Sequence, residues 1–135
     1  GAGISCHGES ILSNILINRN STNSTNGSGG GISMSGGIII KNSIITNNTS
    51  LKGGGISVSG EGAIIENVII ANNLTGSGIY SQNAEAEIIS TVVYNNLPYE
   101  ISTPNNNYIS NLSISYSNIY GGNEGIFIND ESIIT

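Results

Sequence analysis

The 135-residue chain has no Trp, a single Phe, a single Cys, two Pro and only three basic side chains, Arg19, Lys41 and Lys52. Each shortage excludes something. Cys6 has no partner for an internal disulfide, and no zinc-type spacing of Cys and His exists. Three cations against nine acids leave a net charge of −6, and without clustered Lys and Arg a phosphate backbone has nothing to bind. Nucleic acid is therefore excluded as a partner, as is an anionic membrane surface. No apolar run approaches the roughly 18 residues of a membrane span, so no membrane insertion is expected. With so few large aromatics an ordinary globular core is hard to fill, whereas a narrow core lined by Ile is not. The charge is also divided. Residues 1–52 hold the three cations and Glu9, while residues 53–135 hold eight acids and no cation.

What is present is Ile, Gly, Ser, Thr and Asn. Gly and polar content suggest disorder at first, but disordered chains lack regularly recurring β-branched residues. Here they recur. A Gly-rich turn followed by Ile reads Gly1-Ala2-Gly3-Ile4, Gly29-Gly30-Gly31-Ile32, Gly53-Gly54-Gly55-Ile56 and Gly76-Ser77-Gly78-Ile79. Weaker copies are Tyr99-Glu100-Ile101 and Asn123-Glu124-Gly125-Ile126. The Ile positions 4, 32, 56, 79, 101 and 126 are spaced 28, 24, 23, 22 and 25 residues apart.

A second marker drifts with the first. Asn20, Asn48, Asn73, Asn96 and Asn118 are spaced 28, 25, 23 and 22 residues apart. Four residues before each stands an apolar residue: Leu16, Ile44, Ile69, Val92 and Ile114. The long first interval is accounted for by residues 21–28, read as an exposed loop. Leucine-rich repeats of this length need a Leu framework, and propeller blades need about 40 residues or more. Three short strands per coil fit, as in Ile56-Ser57-Val58, Ala63-Ile64-Ile65 and Val68-Ile69-Ile70-Ala71.

The fold expected is all-β: a right-handed, single-stranded parallel β-helix, or solenoid, of about five coils of 22–28 residues. By the two-residue strand period, Ile4, Ile32, Ile56, Ile79, Ile101 and Ile126 form one inward column. Asn20, Asn48, Asn73, Asn96 and Asn118 form a ladder of amides, each donating to one neighbour and accepting from the other. The chain closes on Ser132-Ile133-Ile134-Thr135, a match to Ser43-Ile44-Ile45-Thr46, and no cap helix is visible at either end. Residues 1–135 are therefore expected to be one repeat segment of a longer solenoid, with any targeting segment upstream.

The Gly-Gly-Gly-Ile turns, Asn-Ser-Ile-Ile-Thr-Asn-Asn at 42–48 and Asn-Val-Ile-Ile-Ala-Asn-Asn at 67–73 resemble the parallel β-helix repeats of the pectate-lyase-like superfamily. The likeness covers nearly the whole chain. It extends to large secreted bacterial β-helix surface proteins, in which a segment similar to Ile114-Ser115-Tyr116-Ser117-Asn118-Ile119-Tyr120-Gly121-Gly122 recurs near the C-terminal end of the helix. The turns are also loosely similar to chlamydial polymorphic outer-membrane adhesins, although the Phe-x-x-Asn motif of those proteins is missing here. The resemblance implies an extracellular or cell-surface location. Such motifs specify a fold more than a function.

Enzymes of that superfamily use acidic calcium ligands with an Arg or Lys base, or clustered Asp residues. This chain has one Arg, and Asp130 is its only Asp. No catalytic residue is assigned. Cys6-His7-Gly8-Glu9 groups three reactive types, but Cys6 aligns with Met34 and Val58 and is expected inward, with His7 and Glu9 in a turn. Glu85 and Glu87, or Asp130 and Glu131, could offer oxygens to calcium. Neither has the dense spacing of a dedicated site, so solvated charge is the preferred reading and no cofactor or metal is expected.

The outward residue after each turn Ile runs Ser5, Ser33, Ser57, Tyr80, Ser102 and Phe127, making Tyr80 and Phe127 the candidate ligand-binding residues, as platforms for sugar rings. Tyr94 and Tyr116 are expected to stack on one another, one coil apart. Sequons at Asn20, Asn23, Asn26, Asn47, Asn48, Asn73 and Asn111 arise from composition. The function expected is a non-enzymatic structural or adhesive module, with glycans, other surface proteins or head-to-tail copies of itself as partners. The alternative is a part of a carbohydrate-active lyase or hydrolase whose active site lies outside these residues.

Overall fold

The computed structural model describes residues 3–104, 109–128 and 132–135. Their strands wind into a parallel β-solenoid of about five coils. The first coil carries β1 (Ile4–His7), β2 (Ser10–Ser13) and β3 (Leu16–Asn18). The second carries β4 (Ile32–Ser35) and β5 (Ile38–Thr46), and in the third β6 (Ile56–Ala71) runs unbroken through all three strand segments expected there. Then follow β7 (Ile79–Ile89) and β8 (Val92–Tyr94); β9 (Ile101–Ser102), β10 (Asn111–Ser115) and β11 (Asn118–Ile119); and β12 (Ile126–Phe127) and β13 (Ile133–Ile134). One 3-10 turn at Gly122–Gly125 is the only helical element among the described residues.

Every pairing is parallel and joins one coil to the next, which makes three sheet faces. On the first, Ile4, Ile32, Ile56, Ile79, Ile101 and Ile126 lie in register. The second stacks Leu12, Ile40, Ile65, Ile88 and Ile114, and the third stacks Ile17, Ile45, Ile70, Val93 and Ile119. These three columns point inward and make a single core. Ile32, Ile56, Ile79 and Ile101 are completely buried. Branching at Cβ holds χ1 nearly fixed, so identical side chains nest at the coil spacing with little further loss of rotamer freedom.

Three corners join the faces. At one, Asn14, Asn42, Asn67, Ser90 and Tyr116 all have left-handed backbone, with φ between 50° and 57°. At the next, Arg19, Asn47, Asn72, Asn95 and Gly121 share that conformation. Asn tolerates it better than most residues do. The third corner needs Gly for lack of space. A Cβ on Gly55 would lie 2.6 Å from the Gly78 carbonyl oxygen and 2.9 Å from Asn73 Nδ2.

The register corrects the sequence reading in the last coil. Ile79 and Ile101 are 22 residues apart on the first face, but Glu85 and Asn111 are 26 apart on the second. Four residues are therefore inserted between the faces, within 103–110. The shift places Asn118 beside Val92, exposed on the third face, and puts Ile114 on Ile88. Asn118 is thus not a rung of the ladder. Gly121 and Gly122 follow Tyr120, which bonds to the Val93 carbonyl, so Gly122 occupies the place below Asn96. Tyr116 takes the corner position of Ser90, 93% exposed, and Tyr120 rather than Tyr116 follows Tyr94. Likewise Ser132–Thr135 stacks on the second face, with Ile133 beside Asn111 and Ile134 beside Leu112, not on the third face where Ile44 and Ile45 lie.

Candidate functional site

The most ordered polar feature is internal. Asn20, Asn48, Asn73 and Asn96 stand one above another where the third face turns toward the first. The Asn48 backbone N–H and Nδ2 both donate to Asn73 Oδ1, at 2.9 and 3.1 Å. Asn73 does the same to Asn96 Oδ1, at 3.0 and 2.9 Å, and Asn20 to Asn48 Oδ1, at 2.9 and 3.0 Å. Each buried Nδ2 also reaches a carbonyl one coil earlier: Asn48 to Ile17, Asn73 to Ile45, Asn96 to Ile70. Buried amides need such saturation, because an orphaned donor or acceptor carries its full desolvation penalty.

Gly122 has no side chain to continue the ladder. Glu100 substitutes for it. Its carboxylate, 4% exposed as a residue, accepts the Asn96 backbone N–H at 3.2 Å and Nδ2 at 2.6 Å. Sequence reasoning missed this role because Glu100 lies in the Gly-turn register, away from the Asn series. It also missed a second ladder, of hydroxyls. Ser43, Thr91 and Ser117 accept backbone N–H groups from Ile15, Val68 and Thr91 of the preceding coils. The signal was the recurrence of Asn14, Asn42 and Asn67 one position before Ile15, Ser43 and Val68, the places in this column that Thr91 and Ser117 continue.

The surface candidates are spread over different faces. Tyr80 continues the outward column of Ser33 and Ser57. It is half-buried, and burial raises its phenol pKa above the usual tyrosine value. Phe127 lies beside Ser102, but its ring stacks on Tyr99 with centroids 5.1 Å apart. The row of Ser102 separates Tyr80 from Phe127, so they do not form one platform. Glu85 and Glu87 both point outward from β7, exposed, next to Asn111 and Ser113 of the following coil. Asp130 and Glu131 lie outside the described residues. Cys6 packs inward against Met34, and His7 is the exposed last residue of β1 rather than a turn residue. Of the sequon residues, Asn48 and Asn73 are fully buried in the ladder, whereas Asn23 and Asn26 are exposed in the 21–28 loop.

The third face carries an outward apolar row that periodicity alone did not reveal as exposed. Leu16, Ile44, Ile69 and Val92 stack in register, and Leu16 is 66% exposed. The strand segments of this face, Leu16–Asn18, Ser43 to Thr46, Val68 to Ala71 and Val92–Tyr94, contain no charged residue. Comparison of the chain with family models, with curated proteins and with solved structures gave no match.

Proposed function

We propose that the chain is a non-enzymatic structural and adhesive module of an extracellular or cell-surface protein, built as a right-handed β-helix of the pectate-lyase-like kind. The observation that carries this reading is the charge-free apolar row of Leu16, Ile44, Ile69 and Val92 on a flat sheet face. Contiguous exposed apolar surface of that sort marks contact sites. Behind it, core columns and the asparagine ladder make a rod stiff enough to hold a contact surface at a distance. The ionisable side chains support the same reading, since His7 and Arg19 stand outward at different places on the first coil and Glu85 with Glu87 stands three coils away on β7. Self-association is the simplest form of such contact, face to face or end to end, the latter by the parallel pairing that already joins coils.

Sedimentation velocity across a concentration series tests this. The chain should associate with rising concentration, and the I44K/I69K double variant should associate less while keeping its circular dichroism spectrum. Concentration-independent monomer, or release of unsaturated or reducing sugar from polysaccharides by the chain itself, would overturn the reading. The second of these outcomes would favour a carbohydrate-active module instead.

A further inference from the structure

A cleft of about 320 Å³ lies outside the first face, on the opposite side of the ladder corner from the apolar row. Its lining comes from three coils and the inserted loop: Ser33, Ser57 and Ser59 from β4 and β6, Asn26 and Ser28 from the loop, Lys52, and Gln82 with Asn83 from β7. All eight side chains are polar, and none is acidic. In a chain of net charge −6, one of three cations is set where no carboxylate lines the wall.

The hydrogen bonding of the cleft is incomplete. Ser57 is only 8% exposed, yet its hydroxyl has no hydrogen-bond partner among the described residues. The Lys52 ammonium and the Gln82 and Asn83 amides likewise have none among them. Ser28 and Ser33 share one long contact of 3.4 Å. The Ser57 hydroxyl opens on the cleft rather than being sealed in the core, so with the ammonium and the two amides it forms a set of solvent-facing donors free to meet a ligand.

We propose that this cleft binds a tetrahedral oxyanion of the sulfate or phosphate class, free or as a monoester. Lys52 supplies the charge as a flexible point cation, a role lysine fills for phosphate groups. Hydroxyls of Ser33 and Ser57 and amide N–H groups of Gln82 and Asn83 supply directed donors, while the Ser59 hydroxyl donates to the Met34 carbonyl at 3.4 Å and only lines the wall. The absence of acidic side chains from the wall removes the repulsion that the rest of this acidic surface would impose. The volume falls at the small end of ligand sites, about 300–1,000 Å³, and leaves room for the carbon skeleton of a sugar-sized ester. A single cation does not serve a polyanion, which sets this site apart from nucleic-acid binding. The inference does not rest on the adhesive reading, since it concerns a different face.

The test is an amide NMR titration of the ¹⁵N-labelled chain with sodium sulfate, sodium phosphate and, at matched ionic strength, sodium chloride. Glucose 6-sulfate, glucose 6-phosphate and glucose form the second set of probes. Sulfate or phosphate should give saturable shifts at Ser28, Ser33, Ser57, Ser59 and Gln82 that chloride does not. Affinity should fall at least about fivefold in K52M and stay unchanged in K41M, each checked for an unaltered melting curve. Tighter binding of the esters than of the inorganic anions identifies an ester ligand, and equal binding identifies the free anion; both support the site. Shifts no larger than with chloride, wild-type affinity in K52M, or glucose binding as tightly as its esters would overturn the proposal.

Discussion

Replacing Asn73 by Leu is the sharpest perturbation of the fold, because it keeps the branched shape of the side chain and removes all of its polar atoms. In the native chain Asn73 Oδ1 accepts two hydrogen bonds from Asn48, and Asn73 Nδ2 donates one to the Ile45 carbonyl and one to Asn96 Oδ1. Leucine breaks all four. Asn48 Nδ2 keeps the Ile17 carbonyl and Asn96 Oδ1 keeps the Asn73 backbone N–H, so those two are weakened but not orphaned. The Asn48 backbone N–H is left with no acceptor in a fully buried position, and the Ile45 carbonyl loses its side-chain donor. At about 1–3 kcal/mol for each such group, the expected loss is about 2–6 kcal/mol. That is a large fraction of the roughly 5–15 kcal/mol typical of a domain. Urea denaturation of N73L against wild type measures the total, and amide hydrogen exchange locates it. Protection should fall around Asn48 and Ile45 first, since solenoid stability is largely a sum over neighbouring repeats. The control is N67G, which removes a 2.7 Å amide pair to Asn42 on the exposed corner, at a left-handed position that glycine accepts, and should cost less than about 1 kcal/mol. If N73L were no more destabilised than N67G, the ladder would not be a stabilising element and the argument would fail.

Three further outcomes are expected. Ser81 is buried beside Val58 in the column, and its hydroxyl has no partner among the described residues, so S81A should leave stability unchanged or raise it by about 1 kcal/mol; a loss beyond about 1 kcal/mol by urea melting would show that the hydroxyl is satisfied. E100A should lower stability by about 1–3 kcal/mol by orphaning the Asn96 backbone N–H, since Asn96 Nδ2 keeps the Ile70 and Tyr94 carbonyls, while E100Q, which keeps an acceptor oxygen, should recover most of it; equal loss in both would mean that charge rather than hydrogen bonding holds the end of the ladder. Burial raises the Tyr80 pKa, so the unfolded chain releases this proton at a lower pH than the folded one. The stability this group contributes is present below the ordinary tyrosine value of about 10 and is lost as pH rises toward the higher folded value, a fall that should be shallower in Y80F.

The repeat, its parallel stacking and the inward Ile columns were legible in the sequence because a solenoid core is local. Each inward residue meets its counterpart one period away, so a spacing read along the chain is a contact in space. The first four rungs of the ladder were legible for the same reason, Asn20, Asn48, Asn73 and Asn96 keeping one offset from the apolar residues before them.

What failed was what depends on where extra residues are accommodated. The last coil is longer on its second and third faces than on its first, and the one-letter pattern offers two apolar residues, Ile114 and Asn118's own neighbour Ile119, for one place. Only the backbone pairing of Asn111 with Glu85 and of Asn118 with Val92 decides between them. Glu100 at the foot of the ladder was likewise invisible. A turn residue that folds back into a vacant rung obeys no periodicity. The outward surface was the least legible of all. Apolar residues at Leu16, Ile44, Ile69 and Val92 look the same in sequence as core residues, and the cleft around Ser57 and Lys52 gathers side chains from the inserted loop and three coils. The physical reason is that burial columns repeat with the chain's own period, whereas a cleft or an exposed row is made by the shape of the assembled rod.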